Sequence, residues 1–489
     1  MKNRNGVLLN KLHTGVPDLD SVLGGGLPEY SFNIIAGTPG TGKTTLAHQI
    51  MFANASPERP ALYFTILGEP TLKMLRYQQQ FSFFNPGQVE SSIQFINLSD
   101  AVLESDLGAV LERIKSEVEA TSPSLVLVDS FRTLVRKLQA DPPSEMELQG
   151  FVQRLALYLT SWQATTFLIG EYSESELRDN PVFTVADGLI WLYQSVERNS
   201  VVRKLQVTKL RGQEPIPGLH TFRITNQGLQ VFPRTYGLVP LEKLQRKDER
   251  LSTGIAGLDE MLSGGIPPGD SVLVAGPSGS GKSALATQFI AEGQKQGEAG
   301  VIAVFEERPQ TYVERADSMG LGLKSMIAAG KLKVLYLRPL DLSVDEALRE
   351  VLDAVKDLNA RRVVIDSING FELALAPAFR QDFRESLYRM VGALTGAGVT
   401  VLTTVETVSS FTDLRISSHG ISFLSDDIIL QRYVEMDGQL RRIMLIVKMR
   451  GGNHSKDIRE YEITSTGLAI RERLTGYLDL ISGLPHRLD

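Results

Sequence analysis

Two stretches decide the fold: Gly37-Thr38-Pro39-Gly40-Thr41-Gly42-Lys43-Thr44, followed by Thr45, and Gly276-Pro277-Ser278-Gly279-Ser280-Gly281-Lys282-Ser283, followed by Ala284. Both fit G-x-x-x-x-G-K-[ST], a loop whose glycines let backbone N–H groups curl around phosphate oxygens. Each follows an apolar run, FNIIAG or SVLVAG, and precedes a run with helical character. A strand that feeds such a loop and then a helix turns the positive helix N-terminus toward the same anion. In that arrangement Lys43 and Lys282 reach the β- and γ-phosphates, and Thr44 and Ser283 offer hydroxyls to Mg2+. ATP and Mg2+ are therefore the expected cofactors.

The two loops belong to a longer repeat. Residues 14–49 align with 253–288 without a gap at an offset of 239, and 16 of the 36 positions are identical. The offset returns at KLRG (209–212) against KMRG (448–451), and at ITNQGL (from Ile224) against ITSTGL (from Ile463). The repeat unit is thus a whole domain. We expect a first domain over 1–232, a linker over 233–250 that opens with Pro and Gly and closes in charge, and a second domain over 251–489. Apolar strand runs alternate with helical spacing at 107–120, 151–159 and 344–358. That alternation predicts α/β domains with mainly parallel central sheets, whose ligands sit at the carboxyl ends of the strands.

The strand ends carry the candidate chemistry. Asp129 closes LVLVD and Asp366 closes VVID, the place from which a carboxylate supports magnesium. Glu306 and Glu307 close VIAVFEE in the second copy, where a carboxylate can orient or deprotonate an attacking oxygen. Glu306 is also a candidate magnesium ligand. The first copy departs here. Pro70 matches Pro309, so Leu67 and Gly68 stand where Glu306 and Glu307 stand, with Glu69 nearby. Lys209/Arg211 and Lys448/Arg450 recur at i, i+2, a spacing that puts both cations of a strand on one face. Nothing within a domain obviously needs them, whereas the γ-phosphate of a neighbouring subunit would.

Composition narrows the classes. The chain has 489 residues, 42% hydrophobic and 22% charged, which suits a folded chain of several domains. A net charge of −6 weakens any electrostatic coating of nucleic acid or anionic membrane. The absence of Cys removes disulfides, thiolate metal sites and thiol nucleophiles, and suits a reducing cytoplasm. Residues 1–15 carry no apolar run of signal-peptide type, and no segment is long and apolar enough to span a membrane.

Taken together these residues resemble KaiC, the double-domain RecA-like ATPase family of the bacterial circadian clock. The resemblance spans nearly the whole chain. It rests on T-G-x-x-x-L-D with a following GG, both phosphate loops, FEE at 305–307, both aspartate strands and both K-x-R-G hairpins. DDIILQRYVE at 426–435 and ISG at 481–483 also belong to it. The resemblance implies two tandem RecA-like P-loop domains, a homohexamer of two stacked rings, and ATP at subunit interfaces. Lys209, Arg211, Lys448 and Arg450 would then act in trans. It also implies a phosphoacceptor pair before the IIL strand, matched here by Ser422 and Phe423. Phe423 removes the second acceptor, so a two-site phosphorylation cycle is not expected. Beyond ISG the sequence runs only LPHRLD, and activation through a longer tail is not expected either.

Two other classes stay open at this point. A DNA-linked recombinase or helicase would need basic, aromatic-bearing loops at a pore. Arg132, Arg136 and Lys137 after Asp129 suit it, but the stretch after Asp366 and the acidic balance do not. A non-catalytic ring that uses nucleotide only as glue would bind ATP without turning it over.

Overall fold

The computed structural model describes residues 9–65, 71–89, 91–99, 107–131, 145–177, 180, 182–197, 200–234, 249–337, 343–374, 383–407, 425–450, 452–482 and 486–487. The chain divides into two compact units, Met1–Arg234 and Thr235–Asp489. Residues 235–248 of the expected linker lie outside the described residues, as do Leu67, Gly68, Glu69, Arg132, Arg136, Lys137, Ser422 and Phe423.

Each unit is built on a nine-stranded sheet of the same topology. In the first, Gly188–Glu197, Phe32–Gly37, Thr165–Glu171, Leu125–Asp129, Ala61–Thr65 and Ile93–Asn97 lie side by side and parallel. Ser200–Leu210, His220–Thr225 and Gly228–Phe232 continue the sheet antiparallel. The second unit repeats this with Asp427–Met436, Ser271–Gly276, Thr400–Glu406, Arg362–Asp366, Gly300–Val304 and Leu332–Tyr336 parallel. Gln439–Met449, Arg459–Thr464 and Gly467–Arg473 then extend it antiparallel. These are tandem RecA-like α/β domains.

The near-continuous apolar strands are explained by burial on both faces. Phe32, Ile34 and Ala36 enter one core and Ile35 the other. Leu273 and Ala275 are divided from Val272 and Val274 in the same way. The helix Lys43–Asn54 covers one face with Leu46, Ala47, Ile50 and Met51, while Leu107–Thr121 and Glu145–Ser161 cover the other. Val344–Leu358 begins where Ser343 accepts from the Glu346 N–H at 3.2 Å and Glu346 accepts from the Ser343 N–H at 2.7 Å. That reciprocal pair satisfies two helix-end donors, and Val344, Ala347, Leu348, Val351 and Val355 then bury one stripe.

The repeated motifs are mutual contacts. Thr14 donates its N–H and hydroxyl to Asp20 at 2.9 and 2.7 Å; Thr253 does the same to Asp259 at 2.8 and 2.6 Å. The glycine after each threonine has positive φ, +67° at Gly15 and +78° at Gly254. Gln49 accepts from the Leu229 N–H and Gln288 from the Leu468 N–H, both at 2.7 Å. A Cβ on Gly228 or Gly467 would lie 2.5 or 2.4 Å from those glutamines. The distant QGL and TGL tripeptides thus clamp the helix behind each phosphate loop.

Two features differ from the sequence reading. The strand carrying FEE closes at Val304, so Glu306 and Glu307 stand in the bend before the helix Pro309–Ser318. Phe305 turns into the core, and Pro309 cannot continue a ladder. The edge strands Ile93–Asn97 and Leu332–Tyr336, half-buried and mixed in polarity, give no clear run.

The domains also diverge in the core. Leu125 opens the aspartate strand of the first; Arg362 opens that of the second, fully buried. Its guanidinium donates to Glu298 at 2.7 Å, to Phe289 O at 2.7 Å and to Ser252 O at 2.8 Å. Removing one partner of a buried pair strands the other charge, at a cost of roughly 3–5 kcal/mol. We expect Arg362→Ala to destabilise the second domain by that order and to raise hydrogen exchange along Arg362–Asp366. Arg362→Leu with Glu298→Ala should recover much of the loss in denaturant titrations.

Candidate functional site

The loop geometry is the same in both domains. Gly42 and Gly281 each cap the following helix at φ 99° and ψ 17°, a left-handed backbone that favours glycine. Neither cap supplies a side chain, so the first N–H groups of Lys43–Asn54 and Lys282–Lys295 face the loop. Lys43 Nζ donates to Thr38 O and Lys282 Nζ to Pro277 O, both at 2.8 Å, closing each loop across its own lysine. Burial draws both ammonium groups below the ordinary lysine range. Glu171 and Asp129 oppose this at Lys43; Glu406, Asp366 and Glu306 oppose it at Lys282. A buried cation amid carboxylates and open N–H groups is built to receive a polyanion.

Around that common frame the chemistry diverges. In the first site Asp129 Oδ2 accepts from Thr44 Oγ1 and from Tyr63 OH, both at 2.7 Å. Burial raises the Asp129 carboxyl despite those bonds and Lys43, and burial together with Asp129 pushes the Tyr63 phenol well up. In the second site Asp366 Oδ1 accepts from Thr404 Oγ1 at 2.5 Å. Ile302 takes Tyr63's place at the 239 offset, and Ile169 is the residue beside Asp129 where Thr404 stands beside Asp366.

The second site opens into a cavity of about 430 Å³ lined by Lys282, Ser283, Asp366, Glu306, Glu307 and Glu406, among others. Its two bend glutamates have different partners. Ser367 Oγ donates to Glu306 Oε1 at 2.7 Å and itself accepts from the Gly370 N–H at 3.1 Å. Arg315 Nη2 donates to Glu307 Oε1 at 2.5 Å. Burial holds the Glu307 carboxyl above its usual range; Arg315 opposes, and Asp366 and Glu306 reinforce. Glu306 is therefore oriented by a neutral hydroxyl, and Glu307 is tied to a cation.

The structure brings Lys282, Ser283, Asp366, Glu306 and Glu307 together, and joins Thr44 to Asp129. Lys448 and Arg450 do not line the cavity. Lys448 donates to Ser425 O at 2.6 Å and Arg450 pairs with Asp426 at 3.4 Å; Lys209 donates to Thr184 O at 3.0 Å and Arg211 pairs with Asp187 at 3.1 Å. Each strand ends before its arginine, at Leu210 and Met449. The lysine sits beside a bulge, and both cations reach the same neighbouring stretch.

Sequence reasoning missed Ser367, Arg315, Tyr63, Thr404 and the strand-end pair Glu171 and Glu406. The Asp-Ser dipeptide repeats in LVLVDS and VVIDS, and a terminal glutamate repeats in TTFLIGE and VTVLTTVE, so both signals were present. Arg76 stands at the place of Arg315 in the first copy, whereas Tyr63 has no counterpart in the second, where Ile302 takes its place.

A family model described as the KaiC ATPase matches residues 12–236 and again 251–475. The chain belongs to the KaiC ATPase family. It is 29% identical over 498 residues to the circadian clock oscillator protein KaiC of Picosynechococcus sp., covering 99% of this chain and 95% of the relative. It is 30% identical over 490 residues to KaiC of Rippkaea orientalis (98% and 92%). It is 29% identical over 495 residues to KaiC 1 of Synechocystis sp. (99% and 93%). Family membership makes the two matched regions ATPase domains. Among the described residues no helix is long and apolar enough to cross a membrane.

Ser367→Ala removes the donor that orients Glu306 without touching the loop. A hydrogen bond to a charged group is worth on the order of 1.5 kcal/mol, so we expect kcat for ATP to fall about tenfold with KM little changed. Steady-state phosphate release on the full chain measures both.

Proposed function

We propose that this protein is a KaiC-type homohexameric ATPase of two stacked rings, working in the cytoplasm as a signalling ring, with ATP at its subunit interfaces. Most turnover belongs to the second domain. The observation that carries this reading is Glu306, held by Ser367 at the cavity that Lys282 and Asp366 also line. Glu306 takes a proton from water as the water oxygen attacks the γ-phosphorus. The bond to the β,γ-bridging oxygen breaks, and ADP leaves with the electron pair. Lys282 and the helix N–H groups hold the phosphates in line. The donor sets fit Mg2+: hydroxyls at Thr44 and Ser283 and the strand-end carboxylates Asp129 and Asp366 would hold it, with Glu306 at the same cavity as Ser283 and Asp366. Bound there, the ion would neutralise charge on the β- and γ-oxygens. Lys209, Arg211, Lys448 and Arg450 serve the neighbouring subunit's γ-phosphate.

The second domain also transfers phosphate slowly to one acceptor, Ser422. Its hydroxyl oxygen attacks the γ-phosphorus in place of water, and its proton passes to Glu306 or Glu307. Phe423 allows no second acceptor at the pair.

Losing a positioned base costs on the order of 10²–10⁴ in rate. Glu306→Gln with Glu307→Gln should therefore remove most phosphate release while ATP binding persists. Undiminished turnover would place hydrolysis in the first domain instead. Native mass spectrometry should find a hexamer with ATP, weakened more by Lys43→Ala than by Lys282→Ala; a monomer at micromolar protein and saturating ATP would refute the ring. Intact mass after long incubation with Mg·ATP should show at most one phosphate per chain, lost in Ser422→Ala and in Lys282→Ala.

A further inference from the structure

The first domain keeps the whole phosphate-binding frame and lacks the two bend glutamates. The strands that precede them, Ala61–Thr65 and Gly300–Val304, fall at the 239 offset and end together, so Leu67 and Gly68 hold the glutamate positions by sequence. Asp129 cannot stand in for a base. It is buried, and its Oδ2 already accepts from Thr44 and Tyr63 at 2.7 Å.

Among the described residues, one carboxylate at this strand-end rim remains uncommitted. Glu171 ends the strand Thr165–Glu171, and in the ladder it is the direct partner of Gly37, the first residue of the phosphate loop. It is half-buried, and its carboxylate accepts no hydrogen bond among the described residues. Its charge acts on both Lys43 and Asp129, raising the pKa of each. The second domain shows what the position sees: Glu406 is the ladder partner of Gly276, raises Lys282 in the same way, and lines the nucleotide cavity beside it.

We propose that Glu171 is the water-activating carboxylate of the first site, making it a slow second centre of ATP hydrolysis. This rests on the ATPase reading above. Glu171 accepts a proton from the water whose oxygen bonds to the γ-phosphorus; the bond to the bridging oxygen breaks, and ADP departs with its electron pair. The strand positions Glu171 through its backbone, and among the described residues no hydroxyl holds its carboxylate as Ser367 holds Glu306. The first site is therefore the slower one.

The test uses the full chain carrying Glu306→Gln and Glu307→Gln, so that remaining phosphate release reports the first site. That background should keep slow turnover. Adding Glu171→Gln should lower it by about 10²-fold or more, the usual loss of a general base. Adding Glu171→Asp instead should restore part of it. ATP retained per chain, measured after gel filtration, should be unchanged by Glu171→Gln, which a collapsed site would not allow. Turnover unaffected by Glu171→Gln, turnover abolished by Glu69→Gln instead, or no turnover in the background each overturns the assignment. Failure of the ATPase reading itself looks different: the unsubstituted chain then releases no phosphate, and the assignment falls with it.

Discussion

The whole structure depends on a left-handed glycine between a buried strand and a helix that has no side-chain cap. At Gly42 and Gly281 the chain turns so sharply that the helix begins with its N–H groups open toward the loop. An uncapped helix start is unfavourable in itself, because its donors lack partners. It persists because the surroundings over-determine it. Ile224 and Ile463 press on the space a side chain would need: a Cβ on Gly42 would lie 2.5 Å from Ile224 Cδ1, and one on Gly281 2.9 Å from Ile463 Cδ1. Behind the turn, Gln49 and Gln288 hold the helices to the far hairpin. The antiparallel edge is therefore the clamp that keeps the anion site open, and its sequence recurs with the loop for that reason.

Duplication preserved this frame and let the chemistry drift. Tyr63 and Thr44 hold the first aspartate, and Thr404 holds the second. A buried leucine opens one aspartate strand and a buried, fully hydrogen-bonded arginine opens the other. Such exchanges are tolerated because backbone geometry sets the site, while each pocket needs only that its buried polar groups find partners.

The legible part of the sequence was the part with a short-range signature. A loop of fixed spacing, an apolar strand buried on both faces and a striped helix all announce themselves locally. The helix over 344–358 was visible to the residue because its apolar spacing is regular, and the structure adds the Ser343–Glu346 cap at its start. The two edge strands were not, since half-buried residues of mixed polarity carry no period. At the site, the loops, Asp129 and Asp366 were legible, but what holds each carboxylate was not. Ser367 reaches Glu306 across 61 positions, and Tyr63 reaches Asp129 across 66. Those partners are set by strand order, which no local pattern encodes. Arg315 was hidden on an ordinary amphipathic helix until its guanidinium met Glu307.

The asymmetry between the sites follows from separating what binds a nucleotide from what breaks it. In the proposed reading, binding draws on the loop N–H groups, the lysine and the strand-end aspartate, and both domains keep all of these. Turnover adds one requirement, a carboxylate with a free lone pair set against water. Where a hydroxyl orients that carboxylate, as Ser367 does Glu306, less is left to positioning when ATP binds in the proposed reading. Where the carboxylate is carried only by its strand, the side chain must find the arrangement each time, and hydrolysis slows without loss of affinity. A slow site stays occupied, and occupied nucleotide stabilises whatever state binds it by mass action. Two copies of one frame can thus divide the labour between holding nucleotide and turning it over, and the division needs only a few substitutions at a strand end.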